Sequence, residues 1–373
     1  MKYAQPKLLI LKMKHVDEYR DNDLIRKLAD LIQRTAIRSY TFMEVCGGHT
    51  AAIRRFGLSS LLPENIRLIS GPGCPVCVTG NGFIDRLIAY SRMEGVIIAT
   101  FGDLIRIPGS LSSLEKERSG GADIRIVFSG PEALEIAAGN PDKTIIFPGI
   151  GFETTAPGTA VTIKEARRSG VENFHVLCGH KIMPPAMEAI LRDGAAIDGF
   201  ICPGHVASIT GSSIFDFIPE KYQIGCVVTG FEPADLLYAV YMLVKQVNEC
   251  SPRTEIQYRR AVTVSGNSIA MGYMNEVFIT VDDTWRGLGL IPLSGLAIRD
   301  EYREFDAERN LIVPVTDTRE NKMCICGDIL RGLKRPSDCR LFAAICSPGN
   351  PVGACMVSNE GACNSYFKYS INE

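Results

Sequence analysis

Apolar and polar residues alternate along the first 250 residues in a way that predicts strands followed by helices. The first helix is predicted at 21–40, where Leu24, Leu28 and Leu31 recur at helical spacing between charged residues. Short β-branched runs predict strands at Thr41–Val45, Arg67–Ile69, Gly95–Thr100, Arg125–Phe128, Thr144–Phe147, Phe174–Leu177, Gly199–Cys202 and Ile224–Val228. Helical periodicity falls between them at Gly82–Met93, Pro131–Ala138, Ala156–Ser169, Pro184–Arg192 and Pro233–Asn248. This order predicts βαβ units and largely parallel sheets.

The loops that follow these strands are rich in glycine and proline, and two pairs of them look alike. Pro148–Glu153 resembles Thr229–Pro233, and Pro108–Ser110 resembles Thr210–Ser212. The correspondence predicts a duplicated unit: two similar Rossmann-like α/β lobes with parallel sheets, facing a cleft lined by strand-end loops. Ligands usually bind at such loops.

The chain divides into three predicted domains. The first α/β domain is expected at 21–150, the second at 151–250, and a C-terminal domain at 251–373. A linker is expected near Cys250-Ser251-Pro252, and strands are expected beyond it at Ala261–Ser265 and Glu276–Val281. From Asn321 onward the periodicity is poor and cysteine dominates, which predicts a loop-rich domain held by a bound inorganic group.

Charge and hydropathy narrow the class of protein. Lys plus Arg (40) nearly balance Asp plus Glu (42) in the 373 residues, for a net charge of −2. This argues against a broad nucleic-acid surface or a polybasic membrane patch. No apolar run approaches the length of a membrane span, and the run Leu8–Leu11 is too short for a signal-peptide core. We therefore expect a cytoplasmic protein with no nucleic-acid or membrane partner.

Thirteen cysteines are unusual for such a chain, and six of them lie close together near its end. In a reducing compartment, clustered thiols more often bind metal or carry out redox chemistry than form structural disulfides. The six are Cys324, Cys326, Cys339, Cys346, Cys355 and Cys363. Their spacing lacks the close C-x2–4-C pairs of zinc sites and fits a [4Fe–4S] cluster better, with zinc, disulfides or inert thiols as alternatives. Spacing alone does not choose four ligands from the six.

Three further cysteines lie in loops after predicted strands. Cys74-Pro75-Val76-Cys77 precedes a predicted helix, whose dipole and free N–H groups would favour a thiolate and hence redox or metal chemistry. Half a zinc site or two packed thiols is the alternative. Cys46 is followed by two glycines and His49, which would expose its sulfur, although a lone cysteine is more often buried and inert.

Other polar residues occupy similar loops. Asp103 follows one strand and Glu153 another, and His180 and His205 join His49 as three of the five histidines in Gly-containing strand-end loops. A helix cap or a satisfied core group is the alternative for each. Gly149-Ile150-Gly151 lacks the pattern of a phosphate loop, so nucleotide binding is not predicted.

Taken together and in order, these motifs resemble the HypD family of [NiFe]-hydrogenase maturation factors. The resemblance spans Tyr40 to Cys363 and rests on Cys46–Thr50, Gly71–Cys77, Gly151–Pro157, Pro203–Val206 and Asn359–Cys363. It implies a scaffold for assembling the Fe(CN)2CO group, working with the small chaperone HypC and with HypE, which supplies cyanide from a thiocyanate on its C-terminal cysteine. It also implies one [4Fe–4S] cluster and two α/β domains plus a cluster domain. We expect the chain to be a monomer alone.

The resemblance also implies roles for single residues. Cys46 would hold the iron with a cysteine of HypC, and His49 would sit beside it or move protons. The resemblance also supports a thiol pair at Cys74 and Cys77, and our own hypothesis is that this pair supplies two electrons by forming a disulfide. Asp103 and Glu360 are further candidate site residues.

Among the C-terminal cysteines, we expect four to hold the cluster: Cys324, Cys339, Cys346 and Cys363. Cys326 and Cys355 would then be a redox pair that recharges Cys74 and Cys77. The scaffold need not turn over as a conventional enzyme. The alternatives are an iron–sulfur-dependent thiol–disulfide reductase acting on a protein substrate, and a zinc-stabilised binding module.

Overall fold

The computed structural model describes residues 13–314, 318 and 320–369. The strands within that part of the chain are β1 (Tyr40–Glu44), β2 (Ile66–Ser70), β3 (Val96–Thr100), β4 (Asp123–Ile126), β5 (Thr144–Gly151), β6 (Phe174–His180), β7 (Gly199–Pro203), β8 (Gly225–Thr229), β9 (Thr254–Ile256), β10 (Phe278–Trp285) and β11 (Gly289–Ile298). The α-helices are α1 (Asn22–Thr35), α2 (Gly47–Arg55), α3 (Pro75–Val78), α4 (Asn81–Ser91), α5 (Leu114–Ser119), α6 (Gly130–Gly139), α7 (Ala156–Ser169), α8 (Met183–Arg192), α9 (Gly204–Thr210), α10 (Phe217–Tyr222), α11 (Pro233–Asn248), α12 (Ser268–Val277), α13 (Ala307–Asn310), α14 (Cys326–Leu330) and α15 (Ala362–Tyr369).

Two parallel sheets organise the α/β part, as the alternation of strands and helices predicts. The first sheet has the order β2-β1-β7-β8-β9, and the second has the order β4-β3-β5-β6. A separate antiparallel hairpin joins β10 to β11. The expected fold class, α/β with two parallel-sheet lobes and a loop-rich C-terminal region, is confirmed.

The first sheet takes its strands from two separate stretches of the chain. β1 and β2 precede the whole of the second sheet, and the chain then returns so that β7 pairs with β1, with Phe42 opposite Gly199. The predicted boundaries at residues 150 and 250 therefore do not coincide with the division between the sheets, since residue 150 lies inside β5. The order of strands within a sheet depends on long-range pairing that a local pattern does not carry.

Strands buried on both faces explain the continuous apolar runs in the sequence. β3 and β8 are buried at every position. The long helix α11 packs Leu236 and Leu243 against Phe42 of the first sheet. The core of the second sheet is separate and includes Phe147. A third and larger core contains residues of both sheets, such as Met43 and Ile98, so the two sheets share one core and each has a further one of its own.

The hairpin β10–β11 differs from the sequence prediction. The strand expected at Glu276–Val281 begins only at Phe278, because Glu276 and Val277 are the last residues of α12. The sequence did not predict its partner strand β11. The strand expected at Ala261–Ser265 is wrong, because these residues form turns and irregular backbone. Trp285 near the hairpin tip is fully buried, and its indole N–H donates to the Ser294 hydroxyl (2.8 Å).

Within the described residues, no helix combines the length and the apolar character needed to cross a lipid bilayer.

Candidate functional site

The loops after β1 and β2 lie side by side because the two strands are parallel neighbours, with Glu44 opposite Ser70. The backbone N–H of Gly47 donates to the carbonyl of Gly73 (3.0 Å), which ties one loop to the other. A Cβ at Gly73 would lie 2.1 Å from the backbone nitrogen of Cys46, so only glycine allows this approach. The register of the first sheet therefore places Cys46 beside the Cys74–Cys77 turn.

Cys74 and Cys77 form a close thiol pair. The Sγ atoms are 2.6 Å apart, and the backbone N–H of Cys77 faces the Sγ of Cys74 at 3.4 Å. Pro75 begins the short helix α3 between them. The prediction of a lowered thiol pKa is wrong for Cys77. Burial raises its pKa well above the usual value, and the neighbouring Cys74 thiol adds to that effect. A helix of one turn does not offset that desolvation.

Cys46 is almost fully buried, at 2% exposure. Burial raises the pKa of its thiol to about 12, and the nearby carboxylate of Glu360 adds to the shift. The side chain that approaches its sulfur is His205, whose Nε2 lies 3.8 Å from Sγ. At pH 7 the thiol is therefore protonated unless a cation replaces the proton.

His205 was a motif residue in the sequence but not a predicted site residue. It follows β7, and β7 pairs with β1, so sheet pairing brings it to Cys46. The side chain of Phe231 lies between His205 and His49, with ring centroids 4.9 and 4.7 Å away. Only knowledge of the strand order would have singled out His205.

His49 is fully buried, and its ring lies near the backbone of Thr229 and Gly230 without a hydrogen bond of normal geometry to either ring nitrogen. Burial lowers its pKa to about 3, and the neighbouring His205 adds to the shift. The imidazole is therefore neutral at pH 7. Through Phe231 it supports the ring of His205, the histidine next to Cys46.

Asp103 and Glu360 approach this site from two other parts of the molecule. Asp103 follows β3 of the second sheet, and Glu360 belongs to the C-terminal cysteine segment. The backbone carbonyl of Glu360 would lie 2.6 Å from a Cβ at Gly47, so this segment covers the Cys46 loop closely. Glu360 reaches solvent at the rim, where partial desolvation and the Asp103 carboxylate raise its pKa. Both sheets and the C-terminal segment thus contribute to one site.

The six C-terminal cysteines surround a second, separate pocket. Its lining includes Cys324, Cys326, Cys339, Cys346, Cys355 and Cys363, and its other side chains are apolar. Cys326 and Cys355 are joined in a disulfide, and the other four are free thiols. The pair expected from the sequence, Cys326 and Cys355, is thus joined by a disulfide, and the assignment of the other four as cluster ligands stays a prediction.

The four free thiols fit a [4Fe–4S] cluster by their chemistry and surroundings. All four line one pocket, where burial raises the pKa of Cys363 and the neighbouring thiols of Cys324, Cys346 and Cys339 raise it further. The backbone N–H of Val352 faces the Sγ of Cys346 at 3.4 Å, the kind of contact that stabilises a ligating thiolate. Within the described residues, no three His, Cys, Asp or Glu side chains converge as ligands of one metal ion. In a cubane cluster each thiolate binds a different iron, so the sulfurs need only surround a common space.

The two thiol sites adjoin each other. The turn of α3, which carries Cys77, packs against the 3-10 turn Ala354–Met356, which contains Cys355. The thiol of Cys363 also contributes to the raised pKa of Cys77. The disulfide and the Cys74–Cys77 pair are therefore neighbours across the boundary between the α/β part and the C-terminal segment.

The other candidate loop residues lie outside these two sites. Cys202 and Cys226 are buried in the core, and Cys178 donates to the carbonyl of Leu296 (3.0 Å). His180 bonds the hydroxyl of Thr159 (2.8 Å). Glu153 is buried and accepts the N–H of Met183 (2.9 Å), and burial raises its pKa to about 7. Their contacts are those of packing and structural residues.

Comparison with known proteins gives a consistent result. The family model HypD, described as "Hydrogenase formation hypA family", matches residues 23–370. The hydrogenase maturation factor HypD of Azotobacter vinelandii is 48% identical over 367 residues, covering 96% of this chain and 97% of that protein. The factor of the same name in Escherichia coli K12 is 42% identical over 370 residues, covering 97% and 99%. A putative hydrogenase expression/formation protein of Methanocaldococcus jannaschii is 44% identical over 351 residues, covering 94% and 98%. The chain therefore belongs to the HypD family of hydrogenase maturation factors.

Proposed function

We propose that this hydrogenase maturation factor is the scaffold on which the Fe(CN)2CO group is assembled. In this proposal Cys46 binds the iron together with a cysteine of a HypC-type chaperone. A HypE-type protein delivers cyanide as a thiocyanate on its C-terminal cysteine. The observation that carries the proposal is the convergence of Cys46, the Cys74–Cys77 pair and His205 in one buried site.

The environment of Cys46 favours metal binding over free nucleophilic chemistry. A thiol whose pKa is raised to about 12 carries its proton at pH 7 and is a poor nucleophile. Ferrous iron replaces that proton and compensates the thiolate charge, so binding and deprotonation are coupled. Low-spin iron with cyanide and CO ligands is soft, and a thiolate suits it. His205, 3.8 Å from the sulfur, is placed to accept the proton that iron displaces.

The Cys74–Cys77 pair would supply the electrons for cyanide release. Cleaving the sulfur–carbon bond of a thiocyanate to give a thiol and cyanide requires two electrons. Two thiols provide them when they form a disulfide, and their two protons go to the leaving thiolate and the cyanide. The Sγ atoms of Cys74 and Cys77 are already adjacent, so little movement is needed.

The C-terminal cysteines would serve to reduce the Cys74–Cys77 disulfide back to two thiols. Cys324, Cys339, Cys346 and Cys363 would hold a [4Fe–4S] cluster, which supplies single electrons when bound. The Cys326–Cys355 disulfide lies between this pocket and α3, where it is placed to exchange with the Cys74–Cys77 pair. Glu360, which is exposed and near Cys46, and the neighbouring Asp103 would contact the partner segment that enters the site.

A thiol–disulfide reductase acting on a protein substrate is the second candidate, and burial disfavours it. Such an enzyme needs an attacking sulfur that a protein disulfide can reach. Cys46, Cys74 and Cys77 are 2%, 3% and 0% exposed. A buried site suits small ligands such as cyanide and CO better.

The test is to produce the chain with HypC- and HypE-type partners and isolate the complex anaerobically. We expect four irons with sulfide, one further iron, and infrared bands in the cyanide and CO stretching region. Cys46→Ala should keep the four irons and lose the extra iron and the bands. Cys250→Ala, at an exposed cysteine, is the matched control and should change neither. Four irons without bands in the wild type would favour the reductase instead.

A further inference from the structure

An open cleft of about 390 Å³ lies beside the Cys326–Cys355 disulfide and apart from Cys46. The tip of the β10–β11 hairpin, the loop that contains Ser110 and the C-terminal cysteine segment form its walls. Cys326 lines the cleft, whereas Cys355 is not among the described residues that do. The disulfide therefore presents one of its two sulfur-bearing residues to this space.

A buried arginine lines the same cleft. Arg286 is only 7% exposed, its Nε donates to the carbonyl of Thr79 (2.8 Å), and its backbone N–H donates to the carbonyl of Val78 (2.8 Å). Among the described residues its Nη2 has no hydrogen-bond partner, and its neighbouring carboxylates, Glu320 and Asp85, act on it through charge alone. Burial lowers its pKa, yet a guanidinium keeps its charge at pH 7. An unpaired buried donor on a charged group is costly, so an anion in the cleft would be stabilising.

Gly353 also lines the cleft and lies against Cys324. A Cβ at this residue would lie 2.6 Å from the Sγ of Cys324 but 4.0 Å from the Cβ of Cys326. A larger residue would therefore press on the Cys324 sulfur, whereas its contact with Cys326 would be an ordinary one. Cys326 is 6% exposed and Cys355 is 1% exposed, so Cys326 is the more accessible of the two.

We propose that the cleft binds a small thiol that carries a carboxylate, and that this thiol reduces the Cys326–Cys355 disulfide. The carboxylate pairs with the guanidinium of Arg286, for which the planar fork of arginine is well suited. The sulfur of the same molecule then lies in the cleft that Cys326 lines. Such a molecule combines the two groups that this cleft can recognise: an anion and a thiol.

The reduction takes two such thiols. The thiolate of the first attacks Sγ of Cys326, breaks the bond to Cys355 and leaves a mixed disulfide, while the Cys355 thiolate takes up the proton. The second thiol attacks the sulfur of the bound reductant and releases it as a symmetric disulfide, which returns Cys326 to the thiol. Two electrons and two protons pass from the two small thiols to the pair.

The site goes beyond the proposed function, because it concerns how electrons enter from outside and needs neither iron nor cyanide. Its test therefore succeeds or fails independently of Fe(CN)2CO assembly. Glu320 also lines the cleft and is exposed, so its carboxylate opposes anion binding. Arg286 and Glu320 should consequently have opposite effects on a negatively charged reductant.

The experiment treats the purified full-length protein, in its disulfide form, with 3-mercaptopropionate or with 2-mercaptoethanol. Alkylation and mass spectrometry report the thiols of Cys326 and Cys355 over time. We expect the rate with 3-mercaptopropionate to saturate with concentration, fall with added salt, and exceed that of 2-mercaptoethanol by about tenfold at equal thiolate concentration.

Three variants in the cleft and one control outside it test the roles of the two charged residues. Arg286→Met should abolish the saturation and the preference for the anionic thiol, and Arg286→Lys should restore part of both. Glu320→Gln should increase the preference about threefold, since it removes the opposing charge without touching a buried residue. Arg168→Gln, at an exposed arginine on α7, should leave the rates unchanged.

Equal, non-saturating rates with the two thiols in the wild type would overturn the proposal. An unchanged preference for the anionic thiol in Glu320→Gln would overturn it as well. This second test remains valid even if Arg286→Met fails to fold. A preference that survives in Arg286→Met would place the anion elsewhere and contradict the assignment of the site.

Discussion

The two groups of cysteines in this protein are positioned by different means. Cys46, Cys74 and Cys77 lie on loops whose places are set by the pairing of β1 with β2, and they rest on the large core of the α/β part. The C-terminal cysteines lie in a segment with short helices and turns. Cys326 and Cys355 join the large core, whereas Cys346 belongs to a small local core with Leu341 and Met356. Strand pairing positions the first group, and in our proposal the second group also depends on what its thiols bind.

This difference indicates a division of labour. A site on a rigid scaffold can keep its thiols aligned while cargo arrives and leaves. A segment with so small a local core gains stability from a cross-link, here the Cys326–Cys355 disulfide and, in our proposal, a bound cluster. The account therefore predicts opposite responses when cysteines are removed from the two groups.

The largest effect should follow from removing a proposed cluster ligand. Cys339→Ala should lose the broad visible absorbance of the cluster and expose residues 321–369 to protease, because the thiols there replace a hydrophobic core. The helical circular dichroism of the α/β part should persist. Limited proteolysis and the visible spectrum measure both effects, with Cys250→Ala as the control. An intact cluster in Cys339→Ala would remove Cys339 from the ligand set.

A smaller effect should follow from removing the disulfide. The double change Cys326→Ala/Cys355→Ala should lower the free energy of unfolding of the C-terminal segment by about 3 kcal/mol, because a cross-link 29 residues apart in sequence restrains the unfolded chain. Hydrogen exchange of that segment reports the change. The cluster absorbance should remain. Its loss on changing either cysteine alone would show that this cysteine is a ligand and reverse the assignment.

The α/β part should show a pH dependence of its own through Glu153. Burial raises its pKa from 4.5 to about 7, so the folded state binds this proton more tightly than the unfolded state. The stabilisation is complete below pH 4.5 and is lost as the pH rises through 7, a change of about 3 kcal/mol by pH 8.

Glu153→Gln should remove that pH dependence, because an amide does not titrate. Urea unfolding of the α/β part at pH 5 and pH 8 compares the variant with the wild type. Glu165→Gln, at an exposed position of α7, is the control and should keep the wild-type slope. An equal pH dependence in Glu153→Gln and the wild type would show that the buried carboxyl is not responsible.

The sequence indicates the local parts of this molecule better than their arrangement. Periodicity places α7 and α11 at their observed limits, and the glycine-rich loops correctly mark the ends of strands. The interleaving of the two sheets was not predicted, because β1 meets β7 only through pairing across more than 150 residues. For the same reason His205 was not assigned to the site of Cys46.

The sequence also predicts where the thiols cluster better than it predicts how they ionise. The clustering of cysteines near the C-terminus predicts a common pocket, and the structure has one. The loop position of Cys77 suggested a lowered thiol pKa, whereas burial raises it. Burial depends on segments distant in sequence, such as the one that carries Glu360 over Gly47. A local motif therefore indicates which thiols are special but not how readily they ionise.

The most direct test of the central claim is the infrared spectrum of Cys74→Ala/Cys77→Ala, produced with HypC- and HypE-type partners and isolated anaerobically. The account predicts a folded protein that retains the visible absorbance of the cluster but shows no cyanide bands, because the C-terminal cysteines still hold the cluster while the electrons for cyanide release are missing. Cyanide bands of normal intensity in this variant would contradict the account.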